Sequence, residues 1–170
     1  MNTKRFVAYS VWFQCIWFAA VIGNQQLQWL TVVLACCTVL VSLKVDPIKL
    51  QHIVGLAILG MLFDLANMYF GLFKFDSIGI PVWLVALWFA FVWYAYFLAQ
   101  KFYYLPLWGV SLLGGAGGTL SYIAGEKLGV VEFPNGMLAT SAIVFVEWML
   151  IFLIIWRVYQ YESSKNRLSL

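Results

Sequence analysis

Six long apolar runs, separated by short polar breaks, constrain the fold of this sequence more than any other feature. A helix that crosses a bilayer needs about 20 predominantly apolar residues, whereas strands of a membrane β-barrel alternate apolar and polar residues over about 10. These runs are continuously apolar, so the sequence predicts an all-α, polytopic transmembrane bundle of about six helices. The predicted spans cover residues 6–22, 27–43, 50–73, 80–100, 105–125 and 137–156.

Composition supports this prediction and excludes two other classes of protein. The 170 residues are 64% hydrophobic and 10% charged, whereas a soluble domain is about 45–50% apolar and about 25% charged. An ordinary soluble globule and a disordered chain are therefore excluded. Six spans use nearly the whole chain, so residues 1–170 are predicted to form a single transmembrane domain without a separate soluble catalytic domain.

The first apolar run also has a feature of secretory signal peptides, because Lys4 and Arg5 precede it. A cleaved signal ends in a pair of small residues spaced by one position. The run is rich in aromatic residues and lacks that cleavage pattern, so we expect the first helix to be retained.

Lysine and arginine are distributed unevenly between the two predicted sides of the bundle. With a cytoplasmic N-terminus, eight of the ten lie on the cytoplasmic side, and only Lys74 and Lys127 lie on the other. Cytoplasmic loops carry an excess of these residues, so both termini are predicted to be cytoplasmic. Because topology explains the net charge of +3, no nucleic-acid partner is predicted. The eight basic residues on the predicted cytoplasmic side are Lys4, Arg5, Lys44, Lys49, Lys101, Arg157, Lys165 and Arg167.

Two acidic residues, Asp64 and Glu147, lie near the middle of predicted spans three and six. An ionisable group at the bilayer centre costs on the order of 3 kcal/mol or more, so such a group faces the bundle interior. Asn67 is one helical turn from Asp64 and is a candidate hydrogen-bond partner for it. No lysine or arginine lies at comparable depth to pair with either acid.

The two acids, with polar neighbours, form a candidate intramembrane polar site. Asn67, Ser121, Tyr122 and Gln14 are the side chains expected to hold them. Two interpretations remain open. Intramembrane ionisable residues commonly bind protons or cations in transport, but buried acids also hold helices together by hydrogen bonds.

Small residues recur on one face of helix five, and glycines also occur on the polar stripe of helix three. Such residues let neighbouring helices approach closely. We therefore predict a helix-packing role for these glycines, with helix three or another protomer as the neighbour of helix five. The same small stripe also leaves a possible gap beside Asp64. The predicted packing residues are Gly60, Gly71, Gly114, Gly118 and Gly125.

Three tryptophans lie deep inside predicted spans. Their position favours core packing over an aromatic-lined lipid or ligand groove. They are Trp88, Trp93 and Trp148.

The sequence contains no motif for metal binding or catalysis. One histidine and three cysteines without metal-ligand spacing predict no metal site and no cofactor. An enzyme is not favoured, since no nucleophile or cofactor motif completes a mechanism.

Several segments resemble a bacterial inner-membrane family, the domain-of-unknown-function family 2878. The resemblance covers nearly the full length and is most distinctive in helices four and five. Thr119 departs from the family pattern, in which a proline is expected, so the usual cause of a kink in helix five is missing. The similar segments are residues 81–88, 114–125 and 128–129, the pattern Gly60, Asp64, Gly71, and the region around Trp148.

The resemblance implies a multi-pass protein of the bacterial inner membrane but brings no catalytic residues. Genes of that family often lie near genes for lipid-modifying and flavin-dependent enzymes, which implies a role around lipid modification. The leading hypothesis is a lipid-binding or accessory scaffold protein, whose partners would be membrane lipid, a lipid-modifying enzyme or a second copy of itself. The alternatives are a small transporter or lipid flippase that uses the intramembrane carboxylates, and an integral membrane enzyme acting on lipid.

Overall fold

Six α-helices account for most of the chain in the computed structural model, which describes the backbone of residues 2–168 and the side chains of residues 2–161. No strand occurs among residues 2–168, so the predicted all-α fold with six helices is confirmed. The helices are α1 (Thr3–Val21), α2 (Gln28–Val45), α3 (Leu50–Tyr69), α4 (Val82–Lys101), α5 (Leu107–Lys127) and α6 (Met137–Leu168).

Four of these helices, α2, α3, α4 and α6, are long and apolar enough to cross a bilayer. This length and composition agree with a membrane protein. The side of the membrane on which the termini lie stays a prediction. The side chains of Lys165 and Arg167, which contributed to that prediction, lie outside the described part of the chain.

Helix starts follow local sequence signals. The side chain of Asn2 accepts a hydrogen bond of 3.0 Å from the Lys4 N–H and caps α1, as residues of this type commonly do. Pro81 and Pro106 directly precede α4 and α5. Proline lacks a backbone N–H, and that donor has no intrahelical partner at a helix start.

Helix α3 ends at Tyr69, before the predicted limit of residue 73. Gly71 has a φ of 71°, a left-handed conformation that glycine adopts without a steric penalty. The N–H groups of Leu72 and Phe73 then turn back to the carbonyl of Asn67, at 2.8 and 3.2 Å. Asp64 consequently lies in the last third of its helix rather than near the middle of it, where the longer predicted span had placed it.

Helix α6 continues to Leu168, well beyond the predicted end at residue 156. The prediction ended the helix where the apolar run ends, but helical hydrogen bonding does not require an apolar sequence. Packing also continues past that point. Tyr159 is 2% exposed, and its hydroxyl donates to the Val92 carbonyl at 3.0 Å.

Helix α4 lies at the centre of the bundle. It is 67% buried over its apolar window, against 22–33% for α2, α3 and α6. It contacts α1, α2, α3 and α6, whereas α5 packs mainly along α6. Alanines on α4, including Ala90 and Ala95, are fully or almost fully buried, and their small size permits this close packing on several sides.

The segments that follow α3 and α5 join at one end of the bundle, which we call the loop face. Lys74 and Glu132 form an antiparallel bridge there, with backbone hydrogen bonds of 3.0 and 2.8 Å. Their side chains form an ion pair of 2.8 Å. The hydrogen bond to Glu132 raises the pKa of Lys74 above its ordinary value.

Candidate functional site

A polar cluster lies beneath the loop face. It consists of four buried residues and the half-buried Glu147; the buried members are Asp64, Trp88, Tyr122 and Asn67. Asp64 is 2% exposed. Its carboxylate accepts hydrogen bonds from the Trp88 indole N–H at 2.6 Å and from the Tyr122 hydroxyl at 2.5 Å. One side chain of α3 therefore connects α4 and α5 through two uncharged donors.

Gly60 explains how Trp88 reaches this acid. It is buried one turn before Asp64 on α3, and a Cβ at this position would lie 2.2 Å from the Trp88 ring. The indole thus lies flat against the α3 backbone with its N–H directed to the carboxylate. The predicted packing role of Gly60 is realised through a side chain, not through contact between two helix backbones.

Asn67 does not bond Asp64, contrary to the expectation from their helical spacing. Its amide instead donates to Glu147 on α6 at 2.7 Å. Asn67 is 3% exposed, whereas Glu147 is half-buried. Because Asp64 and Asn67 lie on the same stripe of α3, the two acids occupy one neighbourhood, and α3, α4, α5 and α6 all contribute to it.

Aromatic rings of the loop face cover the cluster. Phe73 stacks on Tyr122, with ring centroids 4.7 Å apart, and on Phe133 at 5.7 Å. The Lys74–Glu132 bridge connects the chain segments that carry these two phenylalanines. The cluster is therefore closed on the side of the loops.

The glycines of α5 pack against aromatic side chains of α6. A Cβ on Gly114 would lie 2.2 Å from Phe152, and one on Gly118 would lie 1.9 Å from Trp148. The neighbour of this stripe is therefore α6, not helix three or another protomer as expected.

The other two predicted packing glycines differ from Gly114 and Gly118. A Cβ on Gly125 would meet Val130 and Val131 of the following segment at 3.4 and 3.3 Å. Gly71 lies beyond the end of α3, and a Cβ there would have no atom within 4 Å. The prediction of a helix-packing role for Gly71 was wrong, because the residue ends a helix through its positive φ.

An aromatic groove of about 550 Å³ runs between α1 and α5, with α4 and α6 as its floor. It is half-open and almost entirely apolar. Trp88, Trp148 and Phe152 contribute to its floor, and Phe13 and Trp17 contribute to the α1 wall. Trp88 and Trp148 are thus both buried and part of a groove, so the two alternatives for these tryptophans are compatible.

Ser121 lies in the groove rather than beside the acids. The Trp17 indole donates to its hydroxyl oxygen at 2.8 Å, which is the one hydrogen bond between α1 and α5 in the described part of the chain. Gln14 also lines the groove. Of the four neighbours expected for the acids, Tyr122 and Asn67 hold them, and Ser121 and Gln14 do not.

Trp88 and Tyr122 belong to both regions, because they line the groove and donate to Asp64. The sequence pattern indicated Tyr122 as a partner of the acids but did not indicate that Trp88 donates to Asp64. The sequence did contain a signal for this contact. The N–H of a buried tryptophan usually finds an acceptor, and Asp64 on the preceding helix is an acceptor of that kind.

The fold and site define a helical membrane-type protein with a laterally open aromatic groove beside a closed polar cluster. The family described as "Protein of unknown function (DUF2878)" matches residues 6–154, so the chain belongs to this family. This confirms the resemblance found in the sequence. No curated protein and no solved structure matches the chain.

Proposed function

We propose that the protein binds a membrane lipid, whose hydrocarbon chain occupies the aromatic groove. On this basis it acts as a lipid-binding or accessory protein in membrane-lipid modification, at the bacterial inner membrane. The observation that carries the proposal is the groove itself, a half-open apolar cavity of about 550 Å³. Sites for small molecules are typically about 300–1,000 Å³ and mostly apolar.

The shape of the groove favours a long, thin occupant. Its floor extends along α4 from Trp83 to Leu98, a distance of roughly 22 Å at the rise of an α-helix. The hydrocarbon core of a bilayer is about 30 Å thick. A lipid chain aligned with the helices fits this length, whereas a compact polar metabolite would leave most of the lining without contacts.

The mouth of the groove opens to the side, between α1 and α5. Leu113 and Leu120 of α5 line it and are each 63% exposed. Gly117 lies between them, and a Cβ there would have no atom within 4 Å. With so little side chain at this point, a chain from the surrounding bilayer has lateral access to the groove.

A matched pair of glycine substitutions tests the proposal. Gly117→Leu places a side chain in the groove, whereas Gly55→Leu places one on α3, where a Cβ would also meet no atom within 4 Å and no groove residue is altered. With a photoactivatable phospholipid in nanodiscs, Gly117→Leu is expected to lose most labelling, and Gly55→Leu is expected to keep it. Equal labelling of both variants and the parent protein would contradict lipid binding in the groove.

The proposed accessory role requires a partner enzyme, so it is tested separately from lipid binding. Affinity purification in mild detergent from the native host is expected to recover a lipid-modifying enzyme with the parent protein. Recovery of the protein alone, with or without lipid, would contradict the accessory role and leave a lipid-binding protein.

Transport is the second candidate function, and the polar cluster is the observation that favours it. Asp64 and Glu147 come from different helices and are linked to neighbouring helices by hydrogen bonds only. If the acids couple transport to protons, Asp64→Asn and Glu147→Gln should abolish pH-dependent lipid movement in proteoliposomes. Unchanged movement in both variants would exclude the carboxylates from the process.

A further inference from the structure

The row of α4 side chains that lines the groove leads to a lysine at the end of the helix. Five of these residues recur at spacings of three and four, and the next position in the series is Lys101, three residues after Leu98. Residues at such spacings lie on one face of a helix. Lys101 is the last residue of α4, a helix long and apolar enough to cross a bilayer, so it lies where the apolar span ends. The five residues are Leu84, Leu87, Phe91, Tyr94 and Leu98.

Contacts with α1 place Lys101 at the end of the groove. Phe102, the next residue, lines the groove, and its ring meets that of Phe6 on α1, with centroids 5.5 Å apart. Lys101 is half-buried, and its amine donates to the Thr3 hydroxyl oxygen at 3.0 Å. The amine therefore lies where the start of α1 meets the end of α4, next to the last lining residues.

The charge of Lys101 is not balanced by a carboxylate. Within the described residues its amine bonds only the uncharged Thr3 hydroxyl, and no ion pair of these residues involves it. Arg5, at the same end of the bundle, is paired with Asp46 at 2.6 Å. This end of the groove thus carries a positive charge that is available to an anionic group.

The opposite end of the groove, which Trp83 lines at the loop face, has paired charges. Lys74 forms an ion pair with Glu132 at 2.8 Å. Lys127 forms one with Glu126 at 3.4 Å. An anionic group is therefore attracted to the Lys101 end, which gives an amphipathic occupant a direction along the groove.

We infer that the groove takes a phospholipid of net negative charge, with one chain along α4 and its phosphate against Lys101. A lysine ammonium forms charge-assisted hydrogen bonds with phosphate, and lysines near a membrane surface attract anionic lipids. A zwitterionic headgroup also carries an ammonium group, which the charge of Lys101 repels. This inference rests on the proposed lipid binding and names the class of lipid and its direction.

An excess of basic residues at one end of a membrane protein is common, so a matched lysine has to serve as control. Lys44 is exposed and lies in the last turn of α2. It is at the same end of the bundle as Lys101, because Asp46 pairs with Arg5 of α1. Among the described residues that line the groove, none belongs to α2. Lys44→Gln therefore removes the same charge from the same end without altering the groove.

Competition for a photoactivatable phosphatidylcholine tests the inference with the full-length protein in phosphatidylcholine nanodiscs. The competitors are phosphatidylglycerol and phosphatidylethanolamine with identical chains. With the parent protein, phosphatidylglycerol is expected to compete at about fivefold lower concentration, the ratio that one lysine near a membrane surface provides. In Lys101→Gln this preference is expected to fall below about twofold, while phosphatidylethanolamine competes as it does with the parent protein. Lys101→Arg and Lys44→Gln are expected to keep the preference.

The outcomes separate this inference from the proposed function. Equal competition by the two lipids in the parent protein would overturn the selection of an anionic lipid, even if labelling still depends on Gly117. An equal loss of preference in Lys101→Gln and Lys44→Gln would also overturn it, because the general charge of this end would then attract the lipid. Oleate that competes as well as phosphatidylglycerol would overturn the choice of a phospholipid. Conversely, labelling that is unaffected in Gly117→Leu would remove the proposed function itself.

Discussion

The polar cluster around Asp64 and the aromatic groove share Trp88 and Tyr122, yet the first is a set of hydrogen-bonded polar groups and the second is an open, almost entirely apolar surface. In the cluster, every acid has a donor from another helix: Asp64 has two, and Glu147 has one. The groove is lined mainly by aromatic and aliphatic side chains, and Gln14 at its α1 side is exposed. A set of polar groups that is satisfied internally holds helices together, whereas an open apolar groove offers contact area to a ligand.

Buried charge in this sequence marks a contact between helices rather than the open groove. The deep carboxylates were the obvious candidates for function, because ionisable residues are expensive inside a membrane. The structure instead gives Asp64 a tethering position between α3, α4 and α5. The open region was marked in the sequence by aromatic and small residues, which are equally common in ordinary helix packing.

The largest expected effect on stability comes from removing the centre of the cluster. Asp64→Ala leaves the Trp88 N–H and the Tyr122 O–H buried without an acceptor. Each buried donor without an acceptor costs about 1–3 kcal/mol, so we expect the free energy of unfolding to fall by about 3 kcal/mol or more. Unfolding in detergent, followed by tryptophan fluorescence, measures this change.

Two further variants make the Asp64 result interpretable. Asp64→Asn keeps one carbonyl acceptor and is expected to lie between the parent protein and Asp64→Ala. Asp76→Ala alters an exposed loop acid and is expected to change stability by no more than about 0.5 kcal/mol. If all three variants were equally stable, Asp64 would not hold the helices together, and the contrast between cluster and groove would fail.

A smaller effect is expected where glycine positions Trp88. A Cβ on Gly60 would overlap the indole, and overpacking of this kind costs about 1–3 kcal/mol. Gly60→Ala should therefore destabilise the protein. Gly55→Ala has free space around it and should be neutral or stabilising by up to about 1 kcal/mol, since alanine favours helices. Thermal unfolding of the two variants side by side checks this difference, and equal stability would show that Trp88 adapts freely.

The fold was largely predictable from the sequence, because apolar length alone specifies helices in a bilayer. The end of α3 was not, since the apolar run continues through Phe70 and Leu72 and only the positive φ of Gly71 ends the helix. Tyr122 and Asn67 were correctly chosen as partners of acids, but their pairing depends on helix rotation. The groove was least predictable, because it forms where α1 lies beside three much later helices, and its shape depends on how those helices are arranged in space.

Glu147 is expected to contribute less than Asp64, because it is half-buried and has one described donor. Glu147→Gln keeps a side-chain carbonyl that accepts from Asn67, so we expect a change in unfolding free energy below about 1 kcal/mol. Asn67→Leu removes the donor and should cost more than Glu147→Gln. The reverse order, measured by the same unfolding assay, would show that the charge of Glu147 matters more than its hydrogen bond.

The smallest effect is expected at the loop face. Because Glu132 raises the pKa of Lys74 above its ordinary value of 10.5, the ion pair stabilises the fold below that pH. The stabilisation is lost as the pH rises through the raised pKa. The parent protein should therefore show a slight extra fall in Tm in this alkaline range, compared with Glu132→Gln. Identical pH profiles for the two proteins would show that the backbone bridge alone joins the two loops.

Mapping where a photoactivatable lipid chain becomes attached to the protein tests lipid binding in the groove most directly. The labelled protein from nanodiscs is digested, and mass spectrometry identifies the modified residues. Lipid binding predicts that attachment concentrates on groove residues such as Phe91, Tyr94 and Leu113, and that Gly117→Leu removes these sites. Attachment spread evenly over outward residues such as Val33 and Leu40 of α2, unchanged in Gly117→Leu, would contradict it.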